Sequence, residues 1–427
     1  MIIEFKVTNY RSIKETQTLS MFKSKYYDDL EEKNCFDSGV GGLAKLLRTA
    51  VIYGPNAAGK SNLIRAIHFM QSFVLQSHKH QEGWRINVMP FVLSSDSRVK
   101  PSEFEVFFIQ DGVRYQYGFA LNSERVTEEW LLAYPEGKQQ RWFQRLYDEK
   151  TQKDSWYFGS KFVGRKQLWQ DSTRKNALFL STAIQLNNEQ LKPVFEWFRN
   201  RLAVILPPHN INLNFSINKC ASEEGKAKIM EFMNAADLSI SGINIELKKI
   251  PIPISPEVLP PNIPQELKER MVKDLHEKGV PLIRFQHLDD KNEPVFFGFE
   301  DESDGTKKLF AFAGPWLDVM EKGRVLFIDE LDTSLHPLLV RYLIETFHDS
   351  KTNPHNAQLI FITHNTSLLD VELFRRDQVW FMEKNQKNAT TMYPLSDFRA
   401  RKKEAIEKRY LQGRYGALPF IGDLRYS

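Results

Sequence analysis

Cysteine is scarce in this chain of 427 residues, and several other features are missing. Cys35 and Cys220 are the only cysteines, which is too few for a disulfide framework or a zinc cage, so we expect a reducing, cytoplasmic location. No apolar run approaches the ~20 residues that a membrane-spanning helix needs. The first residues also lack the basic and then apolar order of a signal peptide. We therefore expect no membrane partner.

Positive charge and repetition are also limited. The formal net charge of +4 is small for this length and does not by itself indicate nucleic-acid binding. No internal repeat or sustained heptad pattern is present, which excludes long coiled-coil arms. A hydrophobic content of 42% with 26% charged residues is typical of a globular protein, and the length allows two or three lobes.

A glycine loop stands between a predicted strand and a predicted helix. The apolar run Ala50–Tyr53 suits a buried parallel strand, and Asn62–Val74 has apolar residues at helical spacing. Between them lies the phosphate-binding pattern G-x-x-x-x-G-K-S, which chance also produces but rarely with these flanking elements. The residues we expect to bind the nucleotide are Gly54, Pro55, Asn56, Ala57, Ala58, Gly59, Lys60, Ser61 and Asn62.

The residue types in this loop match the chemistry of phosphate binding. Gly54 and Gly59 allow the backbone to curl so that its N–H groups point inward, and the following helix adds positive charge at its N-terminus. Lys60 is placed to reach the β- and γ-phosphates, and the Ser61 hydroxyl is a ligand suited to Mg²⁺. The predicted cofactors are therefore ATP and Mg²⁺.

A second apolar strand, Arg324–Ile328, is followed by two acidic residues. In a parallel sheet these acids would lie at the carboxyl edge. The glycine loop described above, the P-loop, also lies at this edge. Asp329 is predicted to hold Mg²⁺, and Glu330 to orient and deprotonate the attacking water. Many strands end in acidic loop residues, but together with a P-loop this pattern indicates a hydrolytic site.

Two further motifs complete the pattern. The apolar strand Gln358–Thr363 precedes His364 and follows the acidic strand by one helix, so His364 is predicted to sense the γ-phosphate. A histidine at a strand end is otherwise a surface residue. Ser303 and Gly305 open a helix shortly before the acidic strand and are predicted to form a second phosphate cradle, although an ordinary N-cap is the alternative.

The rest of the chain has no motif to which we assign chemistry. Asp111-Gly112 between two alternating runs predicts a β-hairpin. Residues 175–240 have mostly helical spacing, which predicts helices over Ala177–Gln185, Glu189–Ala203 and Glu223–Ala236. The predicted divisions are an N-terminal ATPase part (1–85), an antiparallel β lobe (86–170), a mainly helical insertion (171–299), a C-terminal ATPase part (300–395) and a C-terminal tail (396–427).

The order of P-loop, Ser-x-Gly helix, Asp-Glu strand and strand-His resembles the ATP-binding-cassette (ABC) ATPases of the SMC/RecF-like branch. The resemblance implies an α/β P-loop fold and two protomers that enclose two ATP molecules. It places Ser303 and Gly305 on the γ-phosphate of the opposite subunit and Asp332 in the loop that crosses the interface. It also places Arg11, in Asn9–Ser12, near the nucleotide, whereas the glutamine that links the two lobes in many such ATPases has no assigned position.

Three segments are similar to the bacterial Rlo/Abi-type AAA-like ATPases linked to restriction and abortive phage infection. They are Leu331–Pro337, Thr363–Asn365 and Tyr410–Ala417. The resemblance covers residues 1–75 and 300–427 and implies a phage-defence ATPase that acts with an effector, often a nuclease. The residues after the Asp-Glu pair contain no acidic cluster of the kind a Toprim nuclease needs, so we expect the effector to be a separate chain.

These observations favour an ATP-hydrolysing switch and leave open a DNA-repair ATPase that clamps DNA directly. The DNA alternative is supported by a basic tail in which Glu404 and Glu407 are interleaved, which favours a solvated helix face. The basic residues are Arg399, Arg401, Lys402, Lys403, Lys408, Arg409 and Arg414. A nucleotide-binding subunit of a membrane transporter is disfavoured, because such subunits have a shorter segment between the P-loop and the Ser-x-Gly motif. A site that binds ATP only for structure is disfavoured as well, because it would not need Glu330.

Overall fold

A computed structural model describes residues 1–206, 213–235, 240–248, 255, 257, 265–398 and 405–419. The proline-rich segment around 251–264, apart from residues 255 and 257, and the basic residues between 399 and 403 lie outside these ranges. The described chain forms two compact units. The first contains Met1–His209, Val319–Thr333 and Pro337–Ser427, and the second contains Asn210–Asp318 and Ser334–His336.

The strands account for three main sheets and one small pair. They are β1 (Ile2–Thr8), β2 (Gln17–Ser20), β3 (Cys35–Phe36), β4 (Leu46–Leu47), β5 (Thr49–Tyr53), β6 (Ser102–Gln110), β7 (Val113–Leu121), β8 (Val126–Tyr134), β9 (Gln140–Asp148), β10 (Lys153–Phe158), β11 (Leu202–Ile205), β12 (Gly242–Lys248), β13 (Val280–Leu288), β14 (Pro294–Gly298), β15 (Val325–Ile328), β16 (Gln358–Ile362), β17 (Val379–Lys384) and β18 (Thr390–Pro394).

The described helices range in length from four to 19 residues. They are α1 (Glu31–Asn34), α2 (Lys60–Gln76), α3 (Ser95–Val99), α4 (Lys166–Ser172), α5 (Phe179–Gln185), α6 (Lys192–Glu196), α7 (Asn214–Lys219), α8 (Glu223–Asn234), α9 (Gln265–Lys278), α10 (Asp304–Lys322), α11 (Pro337–His348) and α12 (Ile406–Leu411). None of these helices, in the part of the chain that is described, has the length and apolar character required to cross a bilayer.

A six-stranded sheet in the first unit carries the motifs of the predicted site. Its order is β11-β15-β16-β5-β17-β18, and all neighbours except β17 and β18 run parallel. Every residue of β5, β15 and β16 is buried, as expected for apolar strands covered on both faces. The parallel order brings the ends of β5, β15 and β16 to one edge.

The first unit also contains a seven-stranded antiparallel sheet, with the order β10-β9-β8-β7-β6-β1-β2. The predicted hairpin is present between β6 and β7, and Asp111 and Gly112 have the positive φ angles, 51° and 74°, that a tight turn of this kind requires. The sheet is not confined to the predicted lobe 86–170, because β1 and β2 form one of its edges.

The second unit combines a three-stranded sheet, β12-β13-β14, with helices that pack around α10. Pro315 lies within α10, where it removes one backbone hydrogen bond. The Ser216 hydroxyl of α7 inserts into this turn: it donates to Phe310 O at 2.5 Å, accepts from Gly314 N at 2.9 Å and lies 3.5 Å from Ala311 O, the acceptor that Pro315 leaves without its helical partner. Gly314 permits this approach because a Cβ there would lie 2.5 Å from Ser216 N.

The prediction of one helix over Glu189–Ala203 is wrong. The structure has the short helix α6, a π-helical turn at Trp197–Arg201 and then the strand β11. β11 pairs in parallel with β15, from Leu202 opposite Val325 to Ile205 opposite Ile328. The apolar run at 202–205 can serve either element, and pairing with a distant strand, which local periodicity does not show, decides for the strand.

Candidate active site

A cavity of about 510 Å³ lies at the carboxyl edge of the parallel sheet, within the first unit. Seven of its lining residues, 56 to 62, are those predicted from the glycine-loop pattern. The others are Ser12, Arg65, Asp329, Glu330, Ile362, His364 and Lys384. The cavity therefore joins residues from the ends of three parallel strands with the start of α2.

The two glycines of the loop are required by close contacts with neighbouring strands. A Cβ on Gly54 would lie 2.1 Å from Met382 O, and one on Gly59 would lie 2.1 Å from Thr390 Oγ1 and 2.5 Å from Ser12 Oγ. Gly59 also has a φ of 100°, in the region that favours glycine. The loop is thus held against β17, β18 and the turn after β1.

Lys60 lies inside the loop that it follows. Its Nζ donates to Gly54 O at 2.7 Å and to Pro55 O at 2.9 Å. Burial lowers the pKa of Lys60 to about 8, and the carboxylates of Asp329 and Glu330 oppose this shift. The ammonium group is therefore already desolvated and directed into the cavity, where it suits an anionic ligand.

Asp329 follows β15 directly and is buried. Neither of its carboxylate oxygens makes a hydrogen bond of normal geometry, although the Ser61 hydroxyl is near enough to favour the charged form. Burial nevertheless raises the pKa of Asp329. A buried carboxylate without a firm partner, beside a hydroxyl, fits a hard divalent cation.

The protein alone does not form a complete metal cage at this edge. Among the described residues, no group of three or more His, Cys, Asp or Glu side chains is arranged to hold a metal ion. Ser61 and Asp329 would supply two oxygen ligands, and phosphate oxygens and water would complete the shell, as is usual for Mg²⁺. The residues present therefore fit the predicted cation.

Glu330 has an unusual backbone conformation. Its φ is 55°, in the left-handed region that few residues with a side chain adopt, and its Oε2 accepts a hydrogen bond from Thr333 Oγ1 at 3.3 Å. Such strained residues are enriched at functional sites. The turn directs the chain away from β15 and leaves Glu330 on the cavity wall beside Asp329.

His364 lies two residues beyond the end of β16 and lines the same cavity. Its backbone N–H donates to Asp332 Oδ2 at 3.3 Å. Desolvation, and to a smaller extent the charge of Lys60, lowers the pKa of His364. A neutral imidazole at this position can donate one hydrogen bond and accept another.

The N-terminal loop contributes a different residue from the one predicted. Arg11 is not among the described residues that line the cavity, and its Nε donates to Tyr10 Oη at 3.2 Å. Its neighbour Ser12 lines the cavity instead, accepts from Asn62 Nδ2 at 2.7 Å and bonds to Thr390 Oγ1 at 2.8 Å. The approach of Arg11 to a bound nucleotide stays a prediction, and Ser12 is the residue of this loop that lines the cavity.

Besides Ser12, three polar residues at the site were not identified from the sequence. Arg65 lies one turn into α2, and Lys384 and Thr390 lie on the antiparallel pair β17 and β18. The position of Arg65, a basic residue about one helical turn after the P-loop, was a local signal. Lys384 and Thr390 are more than 300 positions from the loop, and no local pattern marks them.

The Ser-x-Gly motif belongs to the second unit. Ser303 is exposed, precedes α10 and accepts a hydrogen bond from Thr306 N at 3.1 Å, so it caps this helix. Gly305 lies in the first turn, where a Cβ would approach Ser334 O to 3.2 Å. Asp332 is half-buried and is not among the described residues that line the cavity.

Comparison with solved structures finds heads of SMC proteins at low identity. The SMC head domain from Thermotoga maritima aligns with a TM-score of 0.40 and 13% identity over 92% of this chain and 98% of that one. An SMC head bound to the C-winged helix domain of ScpA gives 0.41 and 12% over 92% and 97%. An SMC head with an extended coiled coil, bound to the C-terminal domain of ScpA derived from Pyrococcus furiosus, gives 0.37 and 11% over 92% and 96%.

No curated protein matches the chain. Residues 50–370 match the family described as "AAA domain, putative AbiEii toxin, Type IV TA system". This match spans more than half of the chain and includes the glycine loop, the Asp-Glu strand and His364. The chain therefore belongs to this AAA family, and the prediction of a P-loop ATPase is confirmed.

Proposed function

We propose that this protein is an ATP-hydrolysing switch of an anti-phage defence system, which closes as an ATP-sandwiched dimer and controls a separately encoded effector. The observation that carries the proposal is the arrangement of Lys60, Asp329, Glu330 and His364 around one cavity. These side chains come from the ends of three different strands, and each has the chemistry that one step of ATP hydrolysis needs.

Binding would use the loop first. Its backbone N–H groups and the N-terminus of α2 bind the phosphates, and Lys60 exchanges its bonds with Gly54 O and Pro55 O for phosphate oxygens. Ser61 and Asp329 would hold Mg²⁺, which neutralises charge on the phosphates when bound. Arg65 and Lys384 add positive charge at the cavity wall.

Hydrolysis would depend on two residues of the cavity wall. Glu330 orients a water molecule and accepts its proton as the water oxygen bonds to the γ-phosphorus, while the bond from that phosphorus to the bridging oxygen breaks and ADP leaves. His364, with its lowered pKa, donates a hydrogen bond from a neutral ring to a γ-phosphate oxygen.

Ser303 and Gly305 of one protomer would contact the γ-phosphate bound by the other, and Asp332 would lie in the interface. The exposed N-terminus of the 19-residue helix α10 supports this role.

The defence role is supported by the family description and by the motif resemblance. The description names a putative AbiEii toxin of a type IV toxin–antitoxin system, and the three segments described above are similar to Abi-type ATPases. A switch that closes with ATP and opens after hydrolysis suits the control of an effector by a phage product. The effector, for which we propose a nuclease, is a separate chain.

The test is the solution mass of Glu330→Gln with and without ATP and Mg²⁺. We expect ATP to shift this variant from monomer to dimer, because it binds ATP but hydrolyses it about 10²- to 10⁴-fold more slowly. Adding Ser303→Arg should prevent the shift while the affinity for ATP is kept. Ser123→Arg, at another exposed serine of the chain, is the matched control and should still permit dimerisation.

Two results would contradict the proposal. Undiminished hydrolysis by Glu330→Gln would mean that another group accepts the proton. A mass that does not respond to ATP, or that responds equally in the Ser303→Arg variant, would exclude closure through the Ser-x-Gly helix.

A further inference from the structure

The C-terminal motif Tyr410–Ala417 has no part in the mechanism above, yet it is firmly docked on the ATPase sheet. We call residues 405–419 the docked segment. It consists of α12 and a turn in which Gly413, Gly416 and Ala417 have φ angles of 79°, 66° and 55°. The Tyr410 hydroxyl donates to Ala417 O at 2.9 Å and closes the turn on the helix. The motif therefore encodes one compact element.

Strands β17 and β18 hold the docked segment. The rings of Tyr410 and Tyr415 stack on Phe381, with centroids 5.3 and 5.8 Å away. Glu383 Oε2 accepts from Ala417 N at 2.8 Å, and the hydroxyl of the β18 residue Tyr393 donates to Tyr415 O at 2.9 Å. Both ring stacking and hydrogen bonds thus fix its position relative to the sheet.

From this position the docked segment reaches the loop that carries His364. Glu407 Oε1 accepts a hydrogen bond from Thr366 Oγ1 at 2.8 Å. The ring of Tyr410 lies 6.0 Å from that of Tyr53, whose hydroxyl donates to Asn365 O at 3.1 Å. Tyr53 is also the residue immediately before Gly54. One element therefore supports both the start of the P-loop and the two residues after His364.

We propose that Glu407 and Tyr410 are positioning residues, which hold His364 where it can reach the γ-phosphate. The inference rests on the proposed role of His364. The bond from His364 N to Asp332 is long, at 3.3 Å, so the shorter contacts at Asn365 and Thr366 supply much of the restraint on the loop. Because a misplacement of about 1 Å can cost about 10²-fold in rate, the docked segment sets the rate of hydrolysis and not the affinity for ATP.

The test separates kcat from nucleotide affinity in variants that remove the Glu407–Thr366 bond. Glu407→Ala and Thr366→Val should each lower kcat for ATP about five- to tenfold, the effect of one lost hydrogen bond, with ATP affinity within about twofold of the parent. Glu407→Gln keeps an acceptor for the Thr366 hydroxyl and should restore most of kcat. Lys408→Ala, at the exposed neighbouring position, is the control and should change neither quantity.

A double-variant cycle tests whether the effect passes through His364. His364→Ala should itself lower kcat, and adding Glu407→Ala should then lower it no further, because the two residues act as one unit. Normal kcat in both Glu407→Ala and Thr366→Val would overturn the inference, as would a full additional loss in the His364→Ala background. Loss of ATP affinity together with a lower Tm would also overturn it, since both follow from simple unfolding.

The rates of the His364→Ala, Glu407 and Thr366 variants together separate the role of the docked segment from the proposed role of His364. If His364→Ala hydrolyses ATP at the parent rate, the role of His364 is wrong, and the inference falls with it. If His364→Ala is slow but the Glu407 and Thr366 variants are normal, the role of His364 stands and only the docked segment loses its assignment.

Discussion

Glu330 combines a strained backbone with the carboxylate that we propose as the proton acceptor in hydrolysis. Its positive φ lies just after the end of β15; both Asp329 and Glu330 line the cavity, but Asp329 is buried and Glu330 is partly exposed. A conformation of this kind costs of order 1–3 kcal/mol and persists only where the surroundings enforce it. Two adjacent carboxylates thus obtain different environments, one buried and one partly exposed, at the wall of the same cavity.

Replacing Lys60 tests directly whether the loop binds ATP. Lys60→Ala removes a desolvated ammonium group that makes two hydrogen bonds in the loop, so we expect ATP affinity to fall about 100-fold or more. Titration with a fluorescent ATP analogue measures the effect, and Lys351→Ala, at an exposed position, is the control. Unchanged affinity in Lys60→Ala, with Tm preserved, would refute the assignment of the loop.

The P-loop makes hydrogen bonds with β18, a strand far away in the sequence. Thr390, at the start of β18, donates through Oγ1 to Ala58 O at 2.8 Å, and its N–H donates to Ser12 O at 2.8 Å. These bonds connect the loop, the turn after β1 and the β17–β18 pair. We infer that β18 supports the conformation in which the loop N–H groups face the phosphates.

Replacing Thr390 tests this support. Thr390→Val keeps the shape and removes the hydroxyl, so Ala58 O loses its partner, and we expect ATP affinity to fall about fivefold. Thr390→Ser should retain most of the affinity. The control is Thr391→Val, because the neighbouring hydroxyl donates to Glu383 O and not to the loop. If the affinity of Thr390→Val matched that of the control, the bond would have no role in binding.

A buried histidine, His348, should make the stability of the first unit depend on pH. His348 ends α11, is buried and bonds through Nε2 to Thr49 Oγ1 at 2.8 Å. Burial lowers the pKa of His348 to about 3 from 6.5, and the positive charges of Arg48 and Lys33 add to the shift. The unfolded chain therefore takes up a proton below about pH 6.5, whereas the folded chain does not, so stability is lost as the pH falls.

The expected loss is about 2 kcal/mol in the free energy of unfolding between pH 7 and pH 5. In His348→Leu this part of the pH dependence should disappear, and Thr49 keeps its bond from Gln378 Nε2 at 2.7 Å. Urea unfolding at the two pH values measures it. The exposed His355→Leu variant should retain the full dependence, and an equal dependence in His348→Leu would show that other groups are responsible.

The residues that line the site could be predicted largely from local sequence patterns. The glycine loop, the apolar strand that ends in Asp329 and Glu330, and the strand before His364 are local patterns, since each motif lies within one turn of the element that carries it. Their meeting at one sheet edge could be predicted as well, because the carboxyl ends of parallel strands lie together. The hairpin at Asp111 was predictable for the same local reason.

Contacts between distant segments could not be predicted from the sequence and became visible in the folded chain. β11 forms at 202–205 because β15 offers it a parallel partner, and this pairing overrides the helical spacing around it. Ser12 and not Arg11 lines the cavity because Thr390 and Asn62 bind its hydroxyl. Such contacts depend on which surfaces meet after folding, and neither composition nor spacing along the chain contains that information.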